Sequence, residues 1–214
     1  MIELLKKMID FVLHIDKHLI ELAGIYHQWT YLIIFGIIFC ETGLVITPFL
    51  PGDSLLFAAG ALCATGALNI GILVPGVFIA AVVGDNVNYF FGNYMGRQVT
   101  EGNFKYIKKE YIERTEKFYD KHGGKALIMA RFVPILRTFA PFVAGAGKMT
   151  YGRFLTFCIL GNLLWVNLFC WAGYIFANNE FVKNNFSVVI LIIIFVSLVP
   201  VVIAWWKSRK SLEL

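Results

Sequence analysis

Five ionisable residues of this 214-residue chain stand where ionisable residues are costly: Glu41, Asp53, Asp85, Arg131 and Arg137 lie within or beside long apolar stretches. At the centre of a spanning helix each costs roughly 2.5–3.5 kcal/mol on insertion scales, so such residues mark substrate or ion pathways by default. Their types indicate what a pathway would handle. Arginine suits a phosphate, because its planar fork stays protonated and donates paired, charge-assisted hydrogen bonds. A carboxylate in a low-dielectric cavity takes up a proton more readily than in water, which suits it to carry a coupling proton. We therefore read Arg131 and Arg137 as phosphate-binding and Glu41 as the proton-exchanging acid. Asp53 would pair with an arginine in the empty site, and Asp85 and Thr138 would be accessory. Each charge also has a structural alternative, an ion pair or a side chain that reaches the interface. Asp53, in Pro51-Gly52-Asp53-Ser54, has a further one as N-cap of the helix that begins Leu55-Leu56-Phe57.

The elements that must position these charges are set by composition. The chain is 58% hydrophobic and 15% charged, with mean hydropathy +0.70, against about 25% charged residues in an average soluble domain. This excludes a disordered chain, a coiled coil and an ordinary soluble globule. Residues 54–84, 154–179 and 184–206 carry no charge, and each exceeds the roughly 20 residues a spanning helix needs. No cleavable signal peptide is expected, because Met-Ile-Glu-Leu-Leu-Lys-Lys precedes no clean apolar core with a small-residue cleavage site. The net charge of +5 arises from Lys and Arg beside apolar segments, the positive-inside pattern rather than a nucleic-acid surface. It places 97–125 and the tail 207–214 in the cytoplasm. Cys40, Cys63, Cys158 and Cys170 sit in apolar segments without ligand spacing and are read as small buried hydrophobes. His14 and His18 lack a third ligand nearby, so neither a metal nor a cofactor is expected.

Residues 3–22 repeat polar positions with helical period and carry too many charges to span cheaply, which describes an interfacial amphipathic helix. The apolar run 30–51 is interrupted by Glu41, Gly43, Pro48 and Pro51-Gly52, and prolines lack the N–H a regular helix needs. A second run, 126–153, is interrupted in the same way by Arg131, Pro134, Arg137, Pro141 and Gly145. A shift of 85 residues superposes Phe57-Ala58-Ala59-Gly60-Ala61 on Phe142-Val143-Ala144-Gly145-Ala146. With 97–125 inside and one crossing before it, the two broken hairpins enter from opposite faces, an inverted repeat with its site near the midplane. The expected fold is thus an all-α polytopic membrane protein. It has an N-terminal amphipathic helix (1–28) and a transmembrane domain (29–206) built as an inverted repeat of two broken or re-entrant helical hairpins. That domain divides into a first repeat (29–96), a charged cytoplasmic helix (97–125), a second repeat (126–179) and a final transmembrane helix (184–206). A basic tail follows at 207–214.

Enzyme motifs fail on inspection. Gly145-Ala146-Gly147-Lys148-Met149-Thr150 lacks the first P-loop glycine and has Met149 where the hydroxyl should follow the lysine. No nucleophile elbow, zinc-protease motif or Cys/His pair is present. Glu41-Thr42-Gly43, Pro48-Phe49-Leu50-Pro51-Gly52-Asp53-Ser54-Leu55, Gly84-Asp85-Asn86-Val87-Asn88-Tyr89 and the run from Ala130 to Gly145 together resemble the bacterial DedA family, part of the wider VTT or SNARE-associated group. The resemblance covers about residues 8–205. It implies paired re-entrant hairpins in the inner membrane and lipid translocation, of undecaprenyl phosphate or phosphatidylethanolamine. It also implies dependence on the proton motive force and a role in envelope homeostasis. The family's essential acids and arginines fall on Glu41, Asp53, Arg131 and Arg137. The expected partners are membrane lipids and protons, with no nucleic acid and with room for a homo-oligomer. A proton-coupled small-cation antiporter and a scaffold acting through 97–125 are the other function classes.

Overall fold

Apolar runs punctuated by Gly, Pro and Asn become helices separated by short turns in the computed structural model, which describes residues 28–44, 52–100 and 124–177, with Asn179 and Val188. The amphipathic helix expected over 1–28, Pro48, Pro51, most of the charged 97–125 segment, the span at 184–206 and the tail 207–214 lie outside the described residues.

Helix α1 (Gln28–Gly43) ends at its glycine, and α2 (Gly52–Ala64) opens with Asp53 in its first turn, where a carboxylate complements the positive end of the helix dipole. The turn after α2 passes through Gly66 at φ 81°, a left-handed conformation suited to glycine. Asn69 then starts α3 (Ile70–Thr100): its side-chain oxygen accepts from the Gly71 N–H at 2.8 Å. Helix α4 (Lys125–Ala130) is a short piece that stops at Arg131. Helix α5 (Pro134–Ala146) starts on Pro134, preceded by Val133 in the extended conformation that a following proline imposes. Helix α6 (Tyr151–Phe176) completes the set. Among the described residues every regular element is a helix.

Two expectations change. Pro141 does not break its segment but lies inside α5; the break falls at 131–133, where Pro134 can occupy a first helical position that needs no donor. The boundary expected at 97 falls inside α3, which continues to Thr100. Pro75, not singled out in the sequence, also sits within that helix.

Helices α3 (through Gln98) and α6 are each long and apolar enough to cross a membrane. Both are built inside out. Ile79, Val83, Phe90 and Tyr94 on α3, and Leu160, Leu164, Leu168 and Ile175 on α6, are exposed, whereas Asp85, Asn88 and Asn162 are fully buried. Apolar exposure on that scale needs an apolar solvent.

The chain forms two compact units. Among described residues, one comprises α1 to Ile37, α2, α3 to Val77 and α6 from Val166; the other comprises the end of α1 from Ile38, α3 from Phe78, α4, α5 and α6 to Trp165. Within the first unit a Cβ on Gly60 would strike the Cys170 carbonyl, and one on Gly173 would strike the Phe57 carbonyl. Within the second, Gly145 meets the Tyr89 carbonyl and Gly92 the Phe142 carbonyl in the same way. Each unit therefore holds the same helix crossing. A glycine in the Phe-x-x-Gly of a short helix rests on the carbonyl three residues before a glycine of a long helix. The sequence shift that aligned 57–61 with 142–146 has a packing counterpart. Without a hydrophobic drive between helices in lipid, such small-residue contacts are what let backbones approach.

Gly60→Ala and Gly145→Ala should each lower the melting temperature of the detergent-solubilised protein, by about 1–3 kcal/mol of overpacking. Gly36→Ala and Gly152→Ala, where a Cβ has open space, should be neutral or stabilising. Fluorescence-detected size-exclusion melting curves separate the two groups.

Candidate functional site

Four of the five buried-charge candidates converge in the second unit. Arg131 is the C-cap of α4, its N–H bonded to the Ile128 carbonyl at 3.2 Å. The helix break leaves its side chain free to run along α6. Gly161 makes room there: a Cβ at that position would sit 2.9 Å from Arg131 Cδ and Nε. The guanidinium forms an ion pair with Asp85 of α3 and donates to Asn162 Oδ1 at 2.6 Å. Asn162 closes the triangle by donating through Nδ2 to Asp85 Oδ2 at 2.8 Å, and the Cys158 thiol donates to the same oxygen at 3.2 Å. Arg131 is only 4% exposed, and Asp85 and Asn162 are fully buried.

Arg137 lies in the first turn of α5 and pairs with Glu41, in the last turn of α1. Its guanidinium carbon stands 4.7 Å from the centroid of the Trp165 ring, a cation–π contact with a fully buried indole. Asn88, one turn after Asp85 on α3, ties the pairs together: its Nδ2 donates to the Thr42 carbonyl at 3.0 Å and to the Thr138 carbonyl at 2.6 Å. It thereby clamps the residue after Glu41 and the residue after Arg137 to the helix that carries Asp85. Close approach of α1 and α3 underlies this, with Gly43 packed on Gly84.

The cluster holds two arginines and two carboxylates, so it is formally neutral. Asp53 is placed in the first unit, half-buried in the opening turn of α2. Thr138, read as accessory, contributes its carbonyl to Asn88. Pro134 starts α5, Gly52 starts α2, and Gly145 is the contact glycine of its crossing. The residues sequence reasoning passed over are Asn88, Cys158, Asn162 and Trp165. Asn162 had a readable signal, an amide within an apolar span. Trp165 and Cys158 had none, since their neighbours are known only from the packing.

The VTT domain model matches residues 50–175, which takes in Asp53, Asp85, Arg131 and Arg137 and begins after Glu41. Over 212 residues, 98% of this chain and 97% of the relative, the sequence is 52% identical to Protein DedA of Escherichia coli K12. The chain belongs to the DedA family of VTT-domain proteins. Further relatives include an uncharacterized membrane protein of Mycobacterium tuberculosis H37Rv, 43% identical across 82% of this chain and 79% of its own. The inner membrane protein YghB of Escherichia coli K12 is 33% identical across 82% and 78%. No solved structure matches. As a DedA-family chain this is a membrane protein, and lipid is the apolar solvent that the outer faces of α3 and α6 require.

Removing one partner of a buried ion pair strands the other charge, at about 3–5 kcal/mol, whereas removing both avoids that penalty. Arg137→Leu should therefore lower the melting temperature more than the double variant Glu41→Leu with Arg137→Leu. A double-mutant cycle of thermal stability in detergent checks this order.

Proposed function

We propose that this DedA-family protein moves a lipid with an anionic phosphate headgroup between the leaflets of the bacterial inner membrane, coupled to protons. The observation that carries the reading is the pair of buried arginines, each held by an acid, beside long helices that turn apolar faces outward. A membrane protein maintains two desolvated guanidinium groups at a cost, and phosphate is the headgroup chemistry that their planar forks match. In this reading a phosphate displaces a carboxylate from Arg137, and Glu41 takes up a proton as it leaves the arginine.

The broken segments act as re-entrant hairpins of an inverted repeat, and the crossing found once in each compact unit supports that symmetry. The segment 97–125 and the C-terminus face the cytoplasm. Undecaprenyl phosphate is the substrate we favour; phosphatidylethanolamine, whose ammonium cancels its phosphate charge, is the alternative and would need no proton for neutrality. A small-cation antiporter would use Glu41 and Asp85 but leaves the two arginines without a task.

Proteoliposomes carrying labelled undecaprenyl phosphate should show protein-dependent movement between leaflets. Glu41→Ala and Arg137→Ala should each slow it at least about tenfold, the loss expected when roughly 1.4 kcal/mol of a required interaction is removed. Rates equal to the unsubstituted protein's would defeat the role assignment. Cation-dependent proton flux without lipid movement would favour the antiporter.

A further inference from the structure

The carboxylate of Asp85 gathers its donors on a single oxygen. Asp85 is one-sided. Its Oδ2 receives Arg131, the Asn162 amide and the Cys158 thiol together. Its Oδ1 is buried and has no hydrogen-bond partner among the described residues, and neither has Oδ1 of Asn88, one turn along the same helix face. A buried acceptor without a donor is costly. A proton on Asp85 Oδ1 would turn that unmatched acceptor into a donor.

Resting on the lipid-phosphate reading, we propose that Asp85 is a second proton acceptor of the transport site, releasing Arg131 to phosphate as Glu41 releases Arg137. Asn162 positions the exchange. Its carbonyl oxygen accepts from Arg131 while its amide donates to Asp85, a pairing that needs both ends of an amide. The groups facing Asp85 are Arg131 from the helix break, and Cys158 and Asn162 from α6; the Glu41–Arg137 pair of the same unit cancels its own charge.

The charges balance in one way. The empty cluster holds two arginine cations and two carboxylates, a sum of zero. A phosphate monoester entering as a dianion adds two negative charges, and one proton on Asp85 Oδ1 with one on Glu41 restores zero. No covalent bond changes; each proton comes from water and leaves with the lipid's release. A phosphodiester, which carries one negative charge, takes one proton only.

The test is calorimetric titration of the detergent-solubilised protein with farnesyl phosphate at about pH 8, where a monoester is mostly dianionic, in two buffers that differ in ionisation enthalpy. Uptake should be about two protons per ligand for the unsubstituted protein and for Asp85→Glu, which keeps the acid. It should fall to about one in Asp85→Asn, with binding at least tenfold tighter because Arg131 is already released. Uptake that stays at about two in Asp85→Asn overturns the inference and leaves the lipid-phosphate reading standing. Infrared spectra of the protein in lipid, acidified without phosphate, give a ligand-independent arm. A protonated-carboxyl band that disappears in Asp85→Asn supports Asp85 as the acceptor, and a band unchanged by that substitution overturns it. Should the unsubstituted protein bind no farnesyl phosphate, the lipid-phosphate reading fails and the infrared arm alone decides for Asp85.

Discussion

Everything in the second unit is arranged around the desolvation of two guanidinium groups. Removing an arginine and a carboxylate from water costs several kcal/mol per ion, and their attraction offsets it only with good geometry and further hydrogen bonds. That requirement explains features that look unrelated in the sequence. Gly161 lets Arg131 lie against α6, Asn162 hydrogen-bonds both members of its pair, and Trp165 presents a π-face to Arg137. The break between α4 and α5 belongs to the same arrangement, since it lets two arginines six positions apart address acids on different helices. Well-packed apolar residues would serve stability as well or better, so the cluster points to use rather than to folding.

The polar interior is affordable because the backbones around it come very close. Glycines at the crossings place helix backbone against helix backbone, and the short helices sit on the long ones without intervening side chains. The register agrees along the long helices too. Leu73, Val77, Ala81, Asp85, Tyr89 and Gly92 are buried on α3, and Phe154, Cys158, Asn162, Val166, Cys170 and Gly173 are buried at the matching steps of α6. One packing scheme thus appears twice with different chemistry on it. Where α3 carries Asp85, the matching position on α6 is Val166; where α6 carries Asn162, α3 has Ala81. The polar residues are additions to a shared apolar scaffold.

How much of this was legible varies with the physics involved. The membrane class, the break near Pro134 and the cost of Glu41, Arg131 and Arg137 follow from local rules of charge, proline and length, and the sequence carries them openly. The pairing does not. Asp85 looked like an accessory beside Gly84, yet it is the partner of Arg131, because the pairing depends on which helix faces lie together. Pro141 looked like a breaker, but an interior proline is tolerated where surrounding helices support the backbone. Asn162 carries no charge, so its signal in the sequence is weaker: an amide within an apolar span, whose polar atoms must be satisfied by partners on other helices.

Neutrality of the cluster limits what can enter it. A cation arriving alone would leave a net positive charge beside two arginines, in surroundings where the effective dielectric is low and charge interactions are correspondingly strong. An anion arriving alone would leave the opposite imbalance. Only a ligand that brings negative charge together with protons, or exchanges for a similar ligand, passes without stranding a buried charge. In the proposed lipid-phosphate transport, the coupling of headgroup to proton needs no separate device. It would follow from placing as many carboxylates as guanidinium groups in one buried cluster and giving each arginine its own acid to leave.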